Sequence, residues 1–301
     1  MRVHAIINKR AGSALSLNCS ELAREAQAAF ARRGHELTAD IVEPEELEAT
    51  AAAAFLAAPD VLLAAGGDGT VRSVAKHVIG TGTALAILPL GTVNRLAHDL
   101  GIPLWPFEAL NAIAAGEFRE IDAGEVNGRI FLCNSLLGLP PDVSTMRQHL
   151  RGQRLLARTL GYLKLLRTIV SSRKHIELTI DDKKTKRRVR VLSLAVSNNL
   201  YRHEPTLVFT RQRLNGGVLG VYIAKPRSGL GLLWVLMRAA LGLWSGDSRL
   251  DSISASRVII SSHRKRIRLS NDGEVEALEL PLHYKTRPGE LKILVPSVSR
   301  P

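Results

Sequence analysis

Two short apolar runs, residues 61–65 and 84–88, each pass straight into a glycine-bearing loop and then into a helical pattern. The loops are Gly66-Gly67-Asp68-Gly69-Thr70 and Pro89-Leu90-Gly91-Thr92-Val93-Asn94. A run that is apolar at every position belongs to a strand covered on both faces, and strands alternating with helices imply crossovers in a parallel sheet. The alternation extends upstream, with strand patterns at 3–7 and 37–42 and helical patterns at 21–33 and 44–57. Further helical patterns follow at 71–79 and 94–100. Residues 1–124 are therefore expected to form an α/β domain, a parallel sheet with helices on both faces.

The pattern changes near Asp122. Strand-type runs then dominate, at 128–135, 176–181, 189–196, 219–224, 256–261, 267–269, 275–280 and 291–295, with helical patterns only at 146–170 and 230–244. Runs of strands with few helices predict an all-β sandwich over 125–301. A chain of 301 residues suits two domains. The junction carries no long linker, so a cleft between the domains is expected.

Composition narrows the partners. Lys plus Arg is 41 against 28 Asp plus Glu, a formal charge of +13, which calls for an anionic partner. Aromatic residues are only 4%, too few for the stacking platforms of a single-strand nucleic-acid binder, so no nucleic-acid partner is expected. Cys19 and Cys133 are the two cysteines, which excludes a disulfide framework and common zinc-ligand spacings. The apolar run 3–7 is too short for a secretory core. The run 229–244 is interrupted by Arg238 and falls short of the roughly 20 residues of a spanning helix. A cytoplasmic protein, peripheral to a membrane, is the expected setting.

Glycines after a strand let the backbone approach a ligand and turn its amides toward it, and a helix N-terminus adds partial positive charge. Both loops therefore suit phosphate. Asp68 would repel a bare phosphate; it makes sense with a Mg²⁺ between them, or as an anchor or N-cap of the loop. Asn8-Lys9-Arg10-Ala11-Gly12-Ser13, after the first strand, is a weaker third loop. All three lie at the carboxyl ends of predicted parallel strands, where open α/β sheets bind ligands. Asn271-Asp272-Gly273-Glu274 lies between two strand patterns and reads on its own as a hairpin turn.

These segments resemble the signatures of the diacylglycerol kinase catalytic family, which takes in bacterial soluble lipid kinases and the sphingosine and ceramide kinases. The resemblance rests most specifically on Gly66 to Thr70 and Gly91 to Asn94. It extends loosely over the whole chain through 8–13, 138–145, 271–274 and 288–296. It implies a phosphofructokinase- and NAD-kinase-like nucleotide domain, 1–124, before a lipid-binding β-sandwich domain, 125–301. It implies ATP and Mg²⁺, with Asn8, Gly12, Gly66, Gly67, Asp68, Gly69, Thr70, Thr92 and Asn94 lining the nucleotide site and Asp68 toward the metal. Asp272 would be the general base, with Glu274 a secondary candidate to orient it. Asp142 matches an acidic position of the family and reads equally as a turn residue.

Some positions depart from the family. Ser197-Asn198-Asn199 is not followed by a glycine cluster, and Arg95 stands where an acidic residue is usual. Asn215-Gly216-Gly217-Val218-Leu219-Gly220 lacks the two carboxylates that hold a structural Mg²⁺ in some bacterial members, so that metal is not expected. Arg147, Arg151, Arg154 and Arg158 share one helical face beside leucines, a pattern of membrane-surface helices and of ordinary packed ones alike. The basic run 183–190 reads as an exposed hairpin.

The expected activity is ATP-dependent phosphorylation of a hydroxyl on a diacylglycerol-like or sphingoid-like lipid at an anionic membrane surface. The alternatives are a small-molecule kinase of the NAD kinase or phosphofructokinase type, and a weakly catalytic lipid- or nucleotide-binding relative. Oligomeric state stays open, a homodimer included.

Overall fold

A computed structural model describes residues 1–12, 18–138, 176–181, 185–202, 210–225, 230, 231, 234, 237, 238 and 250–297. Ser13, Asp142, the arginine face 147–158 and most of 229–244 lie outside the described residues. The chain divides into two compact units: Met1–Ala123 with Gly289–Pro301, and Gly124–Pro288.

The first unit is the expected α/β layer. Strands β1 (Arg2–Asn8), β2 (Glu36–Val42), β3 (Val61–Gly66) and β4 (Ala84–Pro89) pair in parallel in the order β2-β1-β3-β4. Every residue of β3 and β4 is buried, which explains why neither run carries a polar residue. Helix α1 (Cys19–Ala31) begins at Asn18, whose side chain accepts the amides of Ser20 and Glu21. Such a cap is worth about 1 kcal/mol. Gly34, at φ +71°, turns the chain out of that helix. Helix α2 (Leu47–Leu56) starts after the turn made by Pro44, Glu45 and Glu46.

Helix α3 (Asp68–Val78) starts three residues earlier than its apolar pattern. The apolar stripe Val71, Val74, Ala75 and Val78 faces the sheet, and the first turn is the glycine loop itself. Helices α4 (Arg95–Asp99) and α5 (Pro106–Ala114) follow β4. The sequence pattern did not separate α5, although Pro at its first position is a helix-start signal.

The last strand of the chain is longer than its pattern suggested. Numbered after the intervening strands, β16 (Leu282–Val295) places Ile293 opposite Leu85 of β4. The Gly80 amide donates to Glu290 O at 2.8 Å, and the Gly289 amide donates to Asp122 Oδ1 at 2.9 Å. A Cβ on Gly116 would meet the Val295 carbonyl oxygen at 2.3 Å, so a glycine is needed where this segment passes. The segment from Gly289 onward therefore packs in the first unit, whereas the sequence division carried it with 125–301.

The second unit is an antiparallel sandwich. One sheet runs β12 (Leu250–Ala255), β11 (Leu219–Ala224), β10 (Ser193–Asn198), β7 (Asn134–Leu137), β14 (Arg266–Asn271), β15 (Glu274–Glu279). Opposing it are the first residues of β16, then β13 (Arg257–Ser261), β8 (Ile176–Asp181) and β9 (Lys186–Val191). Strands β5 (Glu117–Val126) and β6 (Arg129–Phe131) pair through an Asn127-Gly128 turn. Leu137, Leu194, Val196, Leu269, Val258, Ile260 and Tyr284 form the core between the sheets. On β9, Lys186, Arg188 and Arg190 are exposed, as expected for the basic hairpin.

Two buried tyrosines give this unit an alkaline limit. Burial pushes Tyr222 up to about 12, partly opposed by the Tyr201 amide that donates to its hydroxyl. Burial also pushes Tyr284 upward, opposed by its hydrogen bond with Ser135 Oγ at 2.9 Å. An unfolded tyrosine ionises near 10. The folded state therefore holds protons that the unfolded chain releases, and this stability, full below about pH 10, is lost as pH rises toward 12. Urea midpoints should fall across that window, and less steeply in Tyr222→Phe; identical slopes would contradict the assignment.

Candidate active site

The three loops predicted from sequence meet. Strands β1, β3 and β4 are parallel neighbours, so their following loops leave the same edge of the sheet. Asn8, the last residue of β1, donates from Nδ2 to Thr70 Oγ1 at 3.0 Å and accepts the Arg10 amide on Oδ1 at 2.9 Å. It therefore joins the first loop to the start of α3. A Cβ on Gly12 would lie 3.5 Å from Thr92 Oγ1, which brings the first loop beside the third.

The second and third loops touch through glycine backbone. A Cβ on Gly91 would sit 2.5 Å from Gly67 Cα and 2.6 Å from Asn94 Oδ1. A Cβ on Gly66 would sit 2.3 Å from Thr70 Oγ1. Side chains cannot be accommodated at either position without moving the neighbour. The Leu90 amide donates to Gly66 O at 2.9 Å and continues the β3–β4 pairing into the loops.

Asn94 adopts the left-handed conformation, φ 49° and ψ 49°, which asparagine tolerates better than most residues. Its Oδ1 accepts the Gly91 amide and its Nδ2 donates to the Gly91 carbonyl, both at 2.9 Å. Asn8 and Thr70 thus fasten the first loop to the second, and Asn94 closes the third loop on itself. What the arrangement offers a ligand is mainly backbone, including the first turn of α3, where helix amides have no intrahelical partner. Gly67 is the N-cap of that helix, with φ −88° and ψ −177°, and Asp68 is its first residue. The N-cap reading of Asp68 is therefore corrected by one position.

Asp68 is half-buried at this edge. Among the described residues no group of three His, Cys, Asp or Glu side chains could hold a metal. A single carboxylate fits a Mg²⁺ that brings its own waters and phosphate oxygens, and does not make an all-protein metal cage.

In the second unit, Asp272 and Gly273 occupy the turn between β14 and β15, with φ +50° and +96°. The turn read from Asn-Asp-Gly is there. The Asp272 carboxylate is turned onto residues 132–134: Oδ2 accepts the Leu132 amide at 2.6 Å, and Oδ1 accepts those of Cys133 and Asn134 at 2.8 and 3.0 Å. The Asp272 amide donates to Asn134 O at 2.9 Å. A carboxylate has about four acceptor positions. Three are filled, which leaves one on Oδ2 to accept a further proton.

These three hydrogen bonds hold the Asp272 carboxylate in place. Glu274 opens β15 opposite Asn271 and is half-buried. Residues 132–134 were missed from sequence because 128–135 reads as one strand. The strand breaks at Leu132–Cys133, where the amides turn to a carboxylate 140 positions away in the chain. In the segment 215–220, the Gly216 amide donates to Asn199 Oδ1 at 2.9 Å.

Comparison with known proteins gives the family and the fold. The diacylglycerol kinase catalytic domain model matches residues 2–126, and that of the YegS C-terminal NAD kinase beta sandwich-like domain matches 143–295. A Pseudomonas aeruginosa protein named "Probable lipid kinase YegS-like" is 45% identical over 116 residues, a stretch covering 38% of this chain and 38% of that protein. A Pseudomonas syringae protein of the same name is 28% identical over 284 residues, covering 93% of this chain and 90% of that one. The crystal structure of a diacylglycerol kinase from Bacillus anthracis superposes with a TM-score of 0.71 at 17% identity, over 98% of this chain and 96% of that one, and shows the shared fold. With one model on the α/β unit and the other on half the chain, the protein belongs to the YegS-like, diacylglycerol-kinase-like family of lipid kinases.

Proposed function

We propose that the protein transfers the γ-phosphate of ATP to a hydroxyl of a diacylglycerol-like or sphingoid-like lipid. The observation that carries this reading is the convergence of the loops after β1, β3 and β4 on the Gly67–Gly91 contact. Backbone amides there would hold the triphosphate, as glycine loops at helix N-termini do. Asp68 would hold a Mg²⁺ carried by the phosphates. That ion, when bound, supplies positive charge against the charge on the transferred group.

In the transfer, the lipid hydroxyl oxygen bonds to the γ-phosphorus while the bond to the bridging oxygen of ADP breaks. The hydroxyl proton goes to the remaining acceptor position on Asp272 Oδ2. The protein would work at the cytoplasmic face of an anionic membrane. Exposed Lys186, Arg188 and Arg190 support that setting, since each basic residue near such a surface adds about 1 kcal/mol. Among the described residues no helix is long and apolar enough to cross a membrane.

Incubation with labelled ATP, Mg²⁺ and a total lipid extract tests the proposal. Label should partition into organic solvent with a phosphorylated lipid. Label appearing only on a water-soluble acceptor would contradict it. One observation favours a second reading, a relative that binds without efficient transfer: three of the four acceptor positions on Asp272 are taken by backbone amides. Slow ATP turnover with the complete extract would support that reading instead.

A further inference from the structure

Residues 132–134 are clamped from two sides. On one side their three amides converge on Asp272. On the other, Arg211, only 3% exposed, donates from Nη1 to the Leu132 carbonyl at 2.5 Å. The same nitrogen reaches Asn198 O at 3.1 Å, and Nη2 lies 3.7 Å from Cys133 Sγ. Asn198 adds a second donor, Nδ2, to Leu132 O at 3.1 Å, and its amide donates to Cys133 O at 3.0 Å.

The backbone polar groups of the segment are then fully assigned: three amides to Asp272, two carbonyls to Arg211 and Asn198, and Asn134 O to the Asp272 amide. Such complete pairing is what a buried irregular segment requires. Arg211 is itself held in place. It bridges to Tyr201, its carbonyl accepts Arg202 Nε at 3.1 Å, and the Gln212 amide donates to Leu200 O at 2.8 Å.

The Leu132 carbonyl and the Cys133 amide belong to one planar trans peptide group, so they point in opposite directions. The guanidinium therefore sits on one end of a single peptide dipole and the Asp272 carboxylate on the other. Each charge polarises the peptide toward the other, and linked hydrogen bonds of this kind reinforce one another in a low-dielectric interior.

We infer that Arg211 is a positioning residue for Asp272, acting through the Leu132–Cys133 peptide to fix which carboxylate lone pair stays open. Arginine is required because a fork spans Leu132 O, Asn198 O and Cys133 Sγ, while a lysine ammonium is one point charge. The sequence offers no local signal for this: Arg211 lies 79 positions from Leu132. The inference rests on the reading of Asp272 as the base.

The test uses the full chain in a Cys19→Ser background, so that Cys133 is the one thiol. In Arg211→Lys, turnover should fall about tenfold to a hundredfold, the cost of misplacing a reacting group by about 1 Å. The KM for ATP should stay within about twofold, because the nucleotide loops are untouched. Cys133, 5% exposed in the native protein, should react with a thiol reagent about tenfold faster once the clamp opens. In Arg211→Ala, added guanidinium at low, non-denaturing concentration should restore turnover and thiol protection together, and ammonium should not.

Wild-type turnover in folded Arg211→Lys, or equal rescue by ammonium, would overturn the inference. Should Arg211→Ala fail to fold, Arg211→Lys decides alone. Failure of the base assignment is separable: Asp272→Asn would then keep wild-type turnover, while thiol protection in the Arg211 variants still reports the clamp.

Discussion

Replacing Asp272 by asparagine should lower turnover by about 10²–10⁴, the usual contribution of a general base. The KM for ATP should remain within about twofold, since the residue sits on the β14–β15 turn and not on the loops proposed to hold the triphosphate. The structure adds a second consequence. Asparagine keeps one acceptor oxygen and gains an NH₂ group, which would face amides of residues 132–134 donor against donor. The variant should therefore also lose about 1–3 kcal/mol of stability, readable as a lower denaturant midpoint. Turnover at the wild-type level in a folded Asp272→Asn protein would remove this carboxylate from the chemistry. A stability loss with unchanged turnover would make Asp272 a turn anchor and nothing more.

Gly91→Ala should produce the largest effect on the nucleotide side. The added methyl would lie 2.5 Å from Gly67 Cα and 2.6 Å from Asn94 Oδ1. The first neighbour is backbone and cannot swing aside, and the second is fixed by two hydrogen bonds to Gly91 itself. The two loops must separate. Overpacking of this kind costs about 1–3 kcal/mol, which corresponds to about a tenfold to hundredfold loss of ATP affinity if the loops form the cradle. Gly82→Ala is the matched control, outside the three loops. Its methyl would meet nothing within 4 Å, so affinity should change little. Equal behaviour of the two variants would show that the Gly67–Gly91 contact is not where the nucleotide binds.

Much of the α/β unit is legible because its signals are local. β3 and β4 read as buried strands since every side chain is apolar, and both are buried at every position. The loops after them are legible because glycine at a strand end marks a close backbone approach, and Gly66, Gly67 and Gly91 pack closely against neighbouring loop atoms. What escaped depends on distant partners. Residues 128–135 look like one strand, yet the chain breaks at Leu132–Cys133 because Asp272 and Arg211 take those peptide groups. Pro288 and Gly289 made 291–295 look like a separate short strand. Instead β16 runs from Leu282 to Val295, and the Gly289 amide has its partner in Asp122.

The candidate side chains show the same division. Asn8, Thr70 and Asn94 are at the expected edge, but Asn8 and Thr70 tie two loops together and Asn94 closes its own. Residue type predicted the location, and only the hydrogen bonds separate a group that holds a loop from one that faces a ligand.

Titration of a non-hydrolysable ATP analogue with Mg²⁺ into wild type, Asp272→Asn and Gly91→Ala, followed by calorimetry, tests the account most directly. If the glycine loops bind the triphosphate and Asp272 removes the proton, the two variants separate binding from chemistry. The account predicts native-like affinity in Asp272→Asn and a loss of about tenfold or more in Gly91→Ala. Undiminished binding in Gly91→Ala, or binding abolished in Asp272→Asn, would contradict it.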